Sequence, residues 1–548
     1  MKLRAALSAY FDRARQGLGW RHGVIALVCA LVLALPLAHE RLPMVDLPQH
    51  LAQNAIAAHN TDSRFGTSAY YQLTGHFLPY LGYRTLHIAI ERLVHDDLLA
   101  GRIALAPALL LALLALLAIA RLTSRASWVA IAGATLLVDA NFLWGFAPYT
   151  MAHAMMLTQL ATVLAWIHST SKNTASLRWS VGYPVLTSLL GVAMFFTHIQ
   201  PTILALITLT VLALWAHRRR LWSARHVITL GATLLPAATL SVTYLVAGGW
   251  LSGQRLEDEF RIHPPTVWHH PLDVLRWIPL SSGLVVTGIF PLVCFAIVAL
   301  GVMLGARATR HERTPSQPSL ADAPRVLVLT WVSLALALPA EFRGQSIAPR
   351  LTPLVLLGLL LLPRMRASVR DNAHPRWTRG LQLSQGIIAF GALSSLVYSH
   401  VMFVRFDQQT HGIATLVRML PPRARVASLV YDPHLEGFRL PVLLHASAYG
   451  LVARGGMSSM GFTRTGVTYR PEVPRQTLTV RELWAPYVLG TQLNLHTHGA
   501  YYDAVFVVRG ARYRGTPFGP GSDAHVRAFR VAAEGRFELW RVEHLRTP

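Results

Sequence analysis

The sequence of 548 residues is poor in charge, in acidic residues and in cysteine. Only 14% of the residues are charged, against about 25% in a typical soluble domain, and 53% are hydrophobic. The low charge excludes an ordinary soluble enzyme, and the high hydrophobicity excludes a disordered chain. The two cysteines, Cys29 and Cys294, lie in apolar runs and provide no disulfide framework.

Long apolar runs recur along most of the chain. A helix needs roughly 17–25 apolar residues to cross the bilayer core, and eleven runs qualify as candidates. We therefore predict an α-helical polytopic membrane protein with about 11 transmembrane helices in the lipid bilayer, followed by a C-terminal extracytoplasmic α/β domain. The runs lie at approximately 23–38, 103–120, 127–140, 149–168, 181–197, 201–216, 227–247, 283–304, 325–340, 350–363 and 382–403.

The 50 basic residues outnumber the 26 acidic ones, which gives a formal net charge of +24. With the N-terminus in the cytoplasm, the inside segments hold 22 basic and four acidic residues, whereas the outer loops before the tail hold ten basic and eleven acidic residues. This is the positive-inside pattern. It predicts a cytoplasmic N-terminus and an outward C-terminal domain, and it argues against nucleic acid as a partner because the charge borders apolar spans.

The segments outside the membrane differ greatly in length. We predict a transmembrane domain at 1–403, with a large first outer loop at 39–102 and a second outer loop at 248–282. The tail, 404–548, is the only segment large enough for a soluble domain.

The tail is predicted to be mixed α/β. Runs rich in β-branched and aromatic residues at 425–431 and 502–508 indicate buried strands, and alternation over 529–542 indicates a hairpin. Residues 416–420 and 443–451 are candidate helices. The tail has no nucleotide-binding Gly-rich loop and no nucleophile elbow.

A D-L-P-Q-H motif at 46–50 follows the first apolar run. Pro48 suits the first turn of a helix, and the apolar residues that follow recur at helical spacing, which predicts an amphipathic helix along the membrane surface. Asp46 stands at its N-terminus, and His50 shares the same face. Two interpretations remain open: Asp46 caps the helix, or it is an acid placed at the membrane–water interface for general-base or metal chemistry.

The eleven spans, the first outer loop that opens on an acid, the helix after it and the outward tail together resemble the GT-C superfamily of membrane glycosyltransferases, which use polyprenyl-phosphate-linked sugars. The motif is also similar to that of a broad group of bacterial multi-spanning proteins. In the GT-C family an acid in the first outer loop deprotonates or orients the acceptor, and Asp46 matches that position. Many members carry a second acid there. Leu47 and Pro48 stand in its place, which leaves Glu40 or His50 as second groups and a divalent metal as an open cofactor.

Further polar residues stand at the outer ends of the spans. Asp139, Asn141, His153 and His198 are candidates for lining an outer cavity, because an ionisable group facing lipid at a span centre costs about 2.5–3.5 kcal/mol. For His198 the alternative is a satisfied hydrogen bond between helices.

The loop between the ninth and tenth runs carries Glu341, Arg343 and Arg350. An arginine there can contact a phosphate bidentately, and in some GT-C members a late outer-loop basic residue does so. The resemblance therefore implies a donor-phosphate role for Arg343 or Arg350, with Glu341 as a further cavity residue. The alternative is that the arginines snorkel to the headgroups.

The resemblance implies an inverting enzyme in the bacterial cytoplasmic (inner) membrane. It would move a sugar from a polyprenyl-phosphate donor to an envelope glycan, lipid or protein acceptor at the outer face. Two rivals remain open: a transporter or flippase of lipid-linked glycans, and a non-catalytic envelope assembly protein.

Overall fold

The computed structural model describes residues 20–74, 79–171, 177–247, 266–279, 289–308, 319–342, 345–364, 375–459, 466–470, 472–473, 492–495, 501–511, 513, 515–519 and 526–544. Within these ranges, eight helices are long and apolar enough to cross a membrane, and Val181–Thr197 and Ala348–Leu361 are shorter apolar helices. The chain is therefore a multi-pass helical membrane protein, while the count of eleven spans stays a prediction.

The helices pack both against the next helix in sequence and against helices farther along the chain. Helix α4 packs along α7, α7 along α8, and α12 along α15. Alanines on α4 at 100, 104 and 108 are almost completely buried, and small side chains at this spacing let helices approach closely. The helices are α1 Trp20–Leu37, α2 Leu47–Ala58, α3 Leu81–Val94, α4 Asp97–Leu122, α5 Ser127–Ala134, α6 Ala140–Leu143, α7 Ala147–Ser171, α8 Leu177–Thr197, α9 Ile199–Arg218, α10 Ala224–Ala247, α11 Asp273–Pro279, α12 Phe290–Ala308, α13 Ala323–Ala337, α14 Thr352–Leu361, α15 Pro375–Met419 and α16 Ala448–Arg454.

The apolar run at 127–140 does not form one long helix. Helix α5 ends at Ala134 after eight residues. The side chain of Asp139 then accepts a hydrogen bond from the backbone N–H of Phe142 at 2.8 Å and caps the short helix α6. A new helix therefore starts where the sequence predicted the end of a span.

The tail contains a five-stranded mixed sheet in the order β6-β5-β8-β10-β9. Strand β5 runs parallel to β6 and β8, and β10 runs antiparallel to β8 and β9. The predicted strands and the hairpin are confirmed, and Gly535 turns the hairpin with a φ of 58°. The strands are β1 Tyr71–Leu73, β2 Thr266–Val267, β3 Glu341–Phe342, β4 Gln345–Ser346, β5 Arg425–Val430, β6 Met457–Ser458, β7 Val467–Tyr469, β8 Ala504–Val508, β9 Val526–Glu534 and β10 Phe537–His544.

Helix α15 joins the membrane region to the tail without a break. It runs from Pro375 to Met419, through the predicted domain boundary at 403/404. That boundary stays a prediction. The helix predicted at 443–451 begins later, at Ala448.

The first loop and the tail are joined in a seam. Strand β1 of the loop pairs antiparallel with β7 of the tail, and α2 packs against α16. The backbone N–H of Gly456 donates to the carbonyl of Phe65 at 2.8 Å. The seam puts the loop and the tail on the same face of the molecule.

Helix α2 is not the surface helix that its amphipathic pattern predicted. Its polar residues Gln49, Gln53 and Asn54 are all buried together with its apolar ones. The tail covers the side that the pattern assigned to water. A partner more than 380 residues away in sequence leaves no trace in local periodicity, and this explains the error.

Candidate active site

Asp46 is held at the start of α2 by the loop that precedes α7. Its backbone N–H donates to the carbonyl of Trp144 at 2.9 Å. Gly145 has a φ of +83°, and a Cβ added there would lie 2.5 Å from the backbone nitrogen of Asp46. Only glycine tolerates this conformation at so close an approach.

The Asp46 side chain does not cap the helix. It makes no cap hydrogen bond, although Asp46 occupies the N-cap position. Its Oδ1 lies 3.2 Å from Nε2 of His445, which belongs to the tail. The side chain of Asp46 is 18% exposed and that of His445 is 8% exposed. The carboxylate is thus fixed from one side and still accessible to a substrate.

Gln49, one turn along α2, determines which ring nitrogen of His445 carries the proton. Its Nε2 lies 3.2 Å from Nδ1 of His445. With the amide in this orientation, Gln49 donates to Nδ1, so the neutral ring carries its proton on Nε2. The protonated nitrogen is therefore the one that lies 3.2 Å from Oδ1 of Asp46.

His50 lies next to this pair, as its position one turn after Asp46 predicts. Its ring meets that of Tyr83 edge-on, with the centroids 6.2 Å apart. Burial lowers the pKa of His50 to about 4; the carboxylate of Asp46 opposes this shift, and the nearby guanidinium of Arg84 adds to it. His50 is therefore neutral near pH 7 and does not supply a cation.

Arg350 is a buried cation of the site. It is 6% exposed, its guanidinium carbon lies 3.9 Å from the ring centroid of Phe146, and its Nη1 donates to Oε1 of Gln200 at 3.2 Å. Its Nε has no hydrogen-bond partner, and among the described residues no carboxylate forms an ion pair with it. Asp46 interacts with it electrostatically from farther away.

Two of the predicted cavity residues support the backbone of this arginine, Asn141 directly and Asp139 through Asn141. The carbonyl of Arg350 accepts hydrogen bonds from Nδ2 of Asn141 at 3.3 Å and from the hydroxyl of Tyr149 at 3.0 Å. Asn141 also donates to Oδ2 of Asp139 at 3.2 Å. Asp139 and Asn141 thereby connect the loop under Asp46 to Arg350.

His198 stands between the two halves of the cluster. It interacts electrostatically with both Arg350 and His50. The backbone N–H of Gln200 donates to its Nδ1, which leaves the proton of the neutral ring on Nε2, 3.2 Å from the hydroxyl oxygen of Tyr80. Burial raises the pKa of Tyr80 to about 12, so this hydroxyl stays protonated and can donate to an anion.

The remaining predicted residues stand apart from this cluster. Glu40 is exposed and pairs with Arg41 at 2.5 Å. The ring of His153 lies 6.1 Å from that of Tyr149. Glu341 lies in β3 of a small three-stranded sheet, and no described hydrogen bond or ion pair joins it to Asp46. Arg343 lies outside the described residues.

Metal ligands were tested on the described part of the chain. No group of three or more His, Cys, Asp or Glu side chains there could hold a metal ion. Asp46 and His445 offer one carboxylate and one imidazole that already bond to each other. These residues do not fit a metal centre, and no step below is routed through a metal.

Sequence reasoning missed the residues that Asp46 and Arg350 contact. His445 is a lone histidine in an apolar stretch 396 residues after Gln49, and no local pattern links the two. Phe146 and Tyr149 were not among the predicted site residues, although aromatic rings can bind a cation through their faces.

No protein-family model and no curated protein matches the sequence. Among solved structures, the chain is similar to ArnT from Cupriavidus metallidurans, both bound to undecaprenyl phosphate and in the apo state. The TM-score is 0.50 for both, at 14% and 13% identity, and the match covers 96% and 95% of this chain and 98% of the ArnT chain.

An oligosaccharyltransferase from Archaeoglobus fulgidus, tethered with an acceptor peptide, matches 89% of this chain and 69% of its own at 11% identity. Its TM-score of 0.46 is too low to carry weight. The ArnT match spans nearly the whole of both chains, and at its level of identity it establishes the fold alone. The chain therefore shares the overall fold of ArnT, and the fold class predicted from the sequence is confirmed.

Proposed function

We propose that the protein is a glycosyltransferase that moves a sugar from a polyprenyl-phosphate donor to an acceptor hydroxyl, at the outer face of the bacterial cytoplasmic membrane. The observation that carries the proposal is Arg350, a buried cation that pairs with no carboxylate in the described part of the chain and lies within electrostatic range of the accessible carboxylate of Asp46. A buried charge left uncompensated is costly, so this site is built to receive an anion.

A lipid phosphate is the anion that fits the position of Arg350. The residue stands at the start of the apolar helix Ala348–Leu361, where a headgroup would meet the protein. Its guanidinium presents donors that match phosphate oxygens, and the hydroxyl of Tyr80 offers one more. ArnT, whose fold this chain shares, binds undecaprenyl phosphate.

The proposed transfer is a direct displacement. Asp46 accepts the proton of the acceptor hydroxyl while that oxygen forms a bond to the anomeric carbon. The bond between the anomeric carbon and the phosphate oxygen breaks, and its electron pair leaves on the phosphate, whose added charge Arg350 stabilises. Attack opposite the leaving group inverts the anomeric configuration.

Release of free polyprenyl phosphate tests the proposal. Purified protein in lipid nanodiscs is given polyprenyl phosphates that carry single pentoses or hexoses, with envelope extract as the acceptor source. We expect the wild type to release polyprenyl phosphate from at least one donor. Asp46→Asn should lower the rate of release by about 100-fold or more. Arg219→Gln should change the rate little, because it alters an exposed arginine at the C-terminal end of α9, opposite the end that carries His198.

Unchanged release by Asp46→Asn contradicts the assignment of the base. The rival function, transport of a lipid-linked glycan, leaves the sugar–phosphate bond intact. Movement of the intact donor across the bilayer without release of polyprenyl phosphate would establish that rival and overturn the proposal. A non-catalytic assembly protein would show neither release nor movement.

A further inference from the structure

We propose that His445 is a positioning residue of the transfer reaction, and that the tail therefore completes the active site. This inference rests on the proposed function. His445 does not touch the sugar or the phosphate in this proposal. It acts by holding the carboxylate of Asp46 in place through a hydrogen bond.

The contact is specific in its geometry. Nε2 of His445 lies 3.2 Å from Oδ1 of Asp46, and Gln49 occupies the opposite nitrogen of the ring at 3.2 Å. One oxygen of Asp46 is thus bound to the imidazole, while the side chain keeps 18% of its surface accessible. A base held in one orientation is closer to the geometry that proton transfer requires.

Asp46 has no comparable anchor within its own helix. The helix N-terminus does not bind its side chain, since Asp46 has helical backbone angles and Pro48 in the first turn has no N–H to donate. The orientation of the carboxylate therefore depends on a group delivered by the tail. This distinguishes His445 from a histidine that simply fills space in an interface.

The seam between the first loop and the tail brings His445 to its position. The carbonyl of His445 accepts a hydrogen bond from Ala448, the first residue of α16, and α16 packs against α2. At the C-terminal end of α16, Gly455 has a φ of +69°. A Cβ added there would lie 2.1 Å from the carbonyl oxygen of Phe65 in the first loop. Any displacement of the tail from the first loop would thus withdraw His445 from Asp46.

The first test compares His445→Ala with His445→Gln. In the release assay we expect His445→Ala to lower kcat by about 10- to 100-fold, the effect of losing one hydrogen bond to a charged group. The KM for the donor and the affinity for undecaprenyl phosphate should stay within about twofold of the wild type. Gln places an amide N–H near the position of Nε2, so His445→Gln should recover most of kcat.

A double-mutant cycle tests whether His445 acts through Asp46. On the Asp46→Asn background, His445→Ala should cause no further loss, because the carboxylate that it orients is gone. The control is His434→Ala, a half-exposed tail histidine that pairs with Asp432 instead. It should behave like the wild type.

A second variant tests the seam itself. Gly455→Ala should reproduce the kcat loss of His445→Ala without weakening undecaprenyl phosphate binding. Gly515→Ala is the matched control, since Gly515 also has a positive φ, of +91°, but faces open space.

The outcomes separate the inference from the proposed function. Wild-type kcat in His445→Ala, with Asp46→Asn inactive, overturns the inference and leaves the proposed function standing. A loss that Gln does not recover, or that is equally large on the Asp46→Asn background, assigns His445 a merely structural role and also overturns the inference. Full activity in Asp46→Asn overturns the assignment of Asp46 as the base, and with it the inference that His445 acts by positioning that base.

Discussion

Arg350 is stabilised by aromatic rings and an amide instead of a carboxylate. The guanidinium carbon lies 3.9 Å from the ring centroid of Phe146 and 5.5 Å from that of Tyr149. Rings orient a cation without neutralising it, whereas a carboxylate would neutralise it and compete with an incoming phosphate. The arrangement keeps the positive charge available for a ligand.

The ring of Phe146 is the first test at this scale. Phe146→Leu retains an apolar side chain and removes the cation–π contact, which is worth about 0.5–2 kcal/mol. We expect the affinity for undecaprenyl phosphate to fall about 2- to 30-fold, measured by native mass spectrometry or by a tryptophan-quenching titration. The exposed residue Leu93 provides a control, as Leu93→Ala should leave the affinity unchanged. An unaltered affinity in Phe146→Leu would show that the ring does not preorganise Arg350.

His50 gives a prediction on acid stability. Its pKa is about 4 in the folded protein, below its ordinary value of 6.5, because burial disfavours the charged ring. The unfolded chain therefore binds this proton more readily, so the contribution of His50 makes the fold less stable as the pH falls from about 6.5 to about 4. The variant His50→Gln should lose less in Tm over this range than the wild type.

The control for this measurement is His95→Gln, which alters an exposed histidine of the same loop. Its Tm should decline with acid as in the wild type. Equal acid sensitivity in wild type and His50→Gln would show that His50 titrates normally.

At the level of single residues, the sequence indicated which residues are candidates for the chemistry, but it did not indicate which residues they contact. Asp46 and Arg350 were recognisable because an acid at the start of a helix and an arginine at the end of a span both need a reason to be there. Their partners were not recognisable, since His445 and Gln200 carry no motif. The distance from Asp46 to His445 in sequence removes any local signal.

Among the elements, the turn at Gly145 has the most direct effect on the site. It lets the loop before α7 reach the backbone of Asp46, through the hydrogen bond to the carbonyl of Trp144. Gly145→Ala should destabilise the protein by about 1–3 kcal/mol, because it adds a Cβ in a strained conformation 2.5 Å from a backbone atom. We expect a lower Tm together with reduced release activity.

Gly535→Ala separates the effect of the positive φ from the effect of the close contact with a backbone atom. Gly535 also has a positive φ, of +58°, but an added Cβ meets nothing within 4 Å. Its destabilisation should be smaller than that of Gly145→Ala, and activity should stay intact. A comparable Tm shift in the two variants would contradict the role of close packing against Asp46.

The limits of sequence reasoning at this scale are clear in α2. The periodicity predicted the helix and its start correctly, since Pro48 and Asp46 occupy the first turn. It assigned the polar face to solvent, but Gln49 there bonds to His445. An amphipathic pattern distinguishes apolar from polar sides, and it does not distinguish water from a polar protein surface.

For the whole molecule, the seam makes a prediction about sidedness. The first loop and the tail lie on one face of the molecule. Helix α9 begins near the site, after His198, and its 20 residues extend about 30 Å to the turn between α9 and α10. The basic residues of that turn, 218–220, predict that it lies in the cytoplasm. The loop and the tail should therefore face outward.

Labelling of single cysteines tests this orientation. In a background with Cys29→Ser and Cys294→Ser, a membrane-impermeant maleimide applied to intact cells should label Ser63→Cys in the loop and Ala533→Cys in the tail. It should label Ala224→Cys only after the membrane is permeabilised. All three positions are exposed. Labelling of Ala224→Cys in intact cells would contradict the predicted orientation and indicate the opposite one.

The large features of the chain followed from composition and charge placement. The resemblance to the GT-C superfamily rested on the predicted spans, the loop lengths and a predicted outward tail, which are features that extend over hundreds of residues. The number of spans is harder to predict from the sequence, because the break in the helix at Thr135–Asp139 depends on one capping side chain inside an apolar run.

The most direct measurement of the central claim is the affinity of the purified protein for undecaprenyl phosphate. The account predicts saturable binding that falls at least tenfold in Arg350→Gln, since a charged hydrogen-bond donor to phosphate contributes about 1.5–3 kcal/mol. Arg219→Gln and Asp46→Asn should bind as the wild type does. Wild-type affinity in Arg350→Gln would contradict the claim that this buried arginine receives the lipid phosphate.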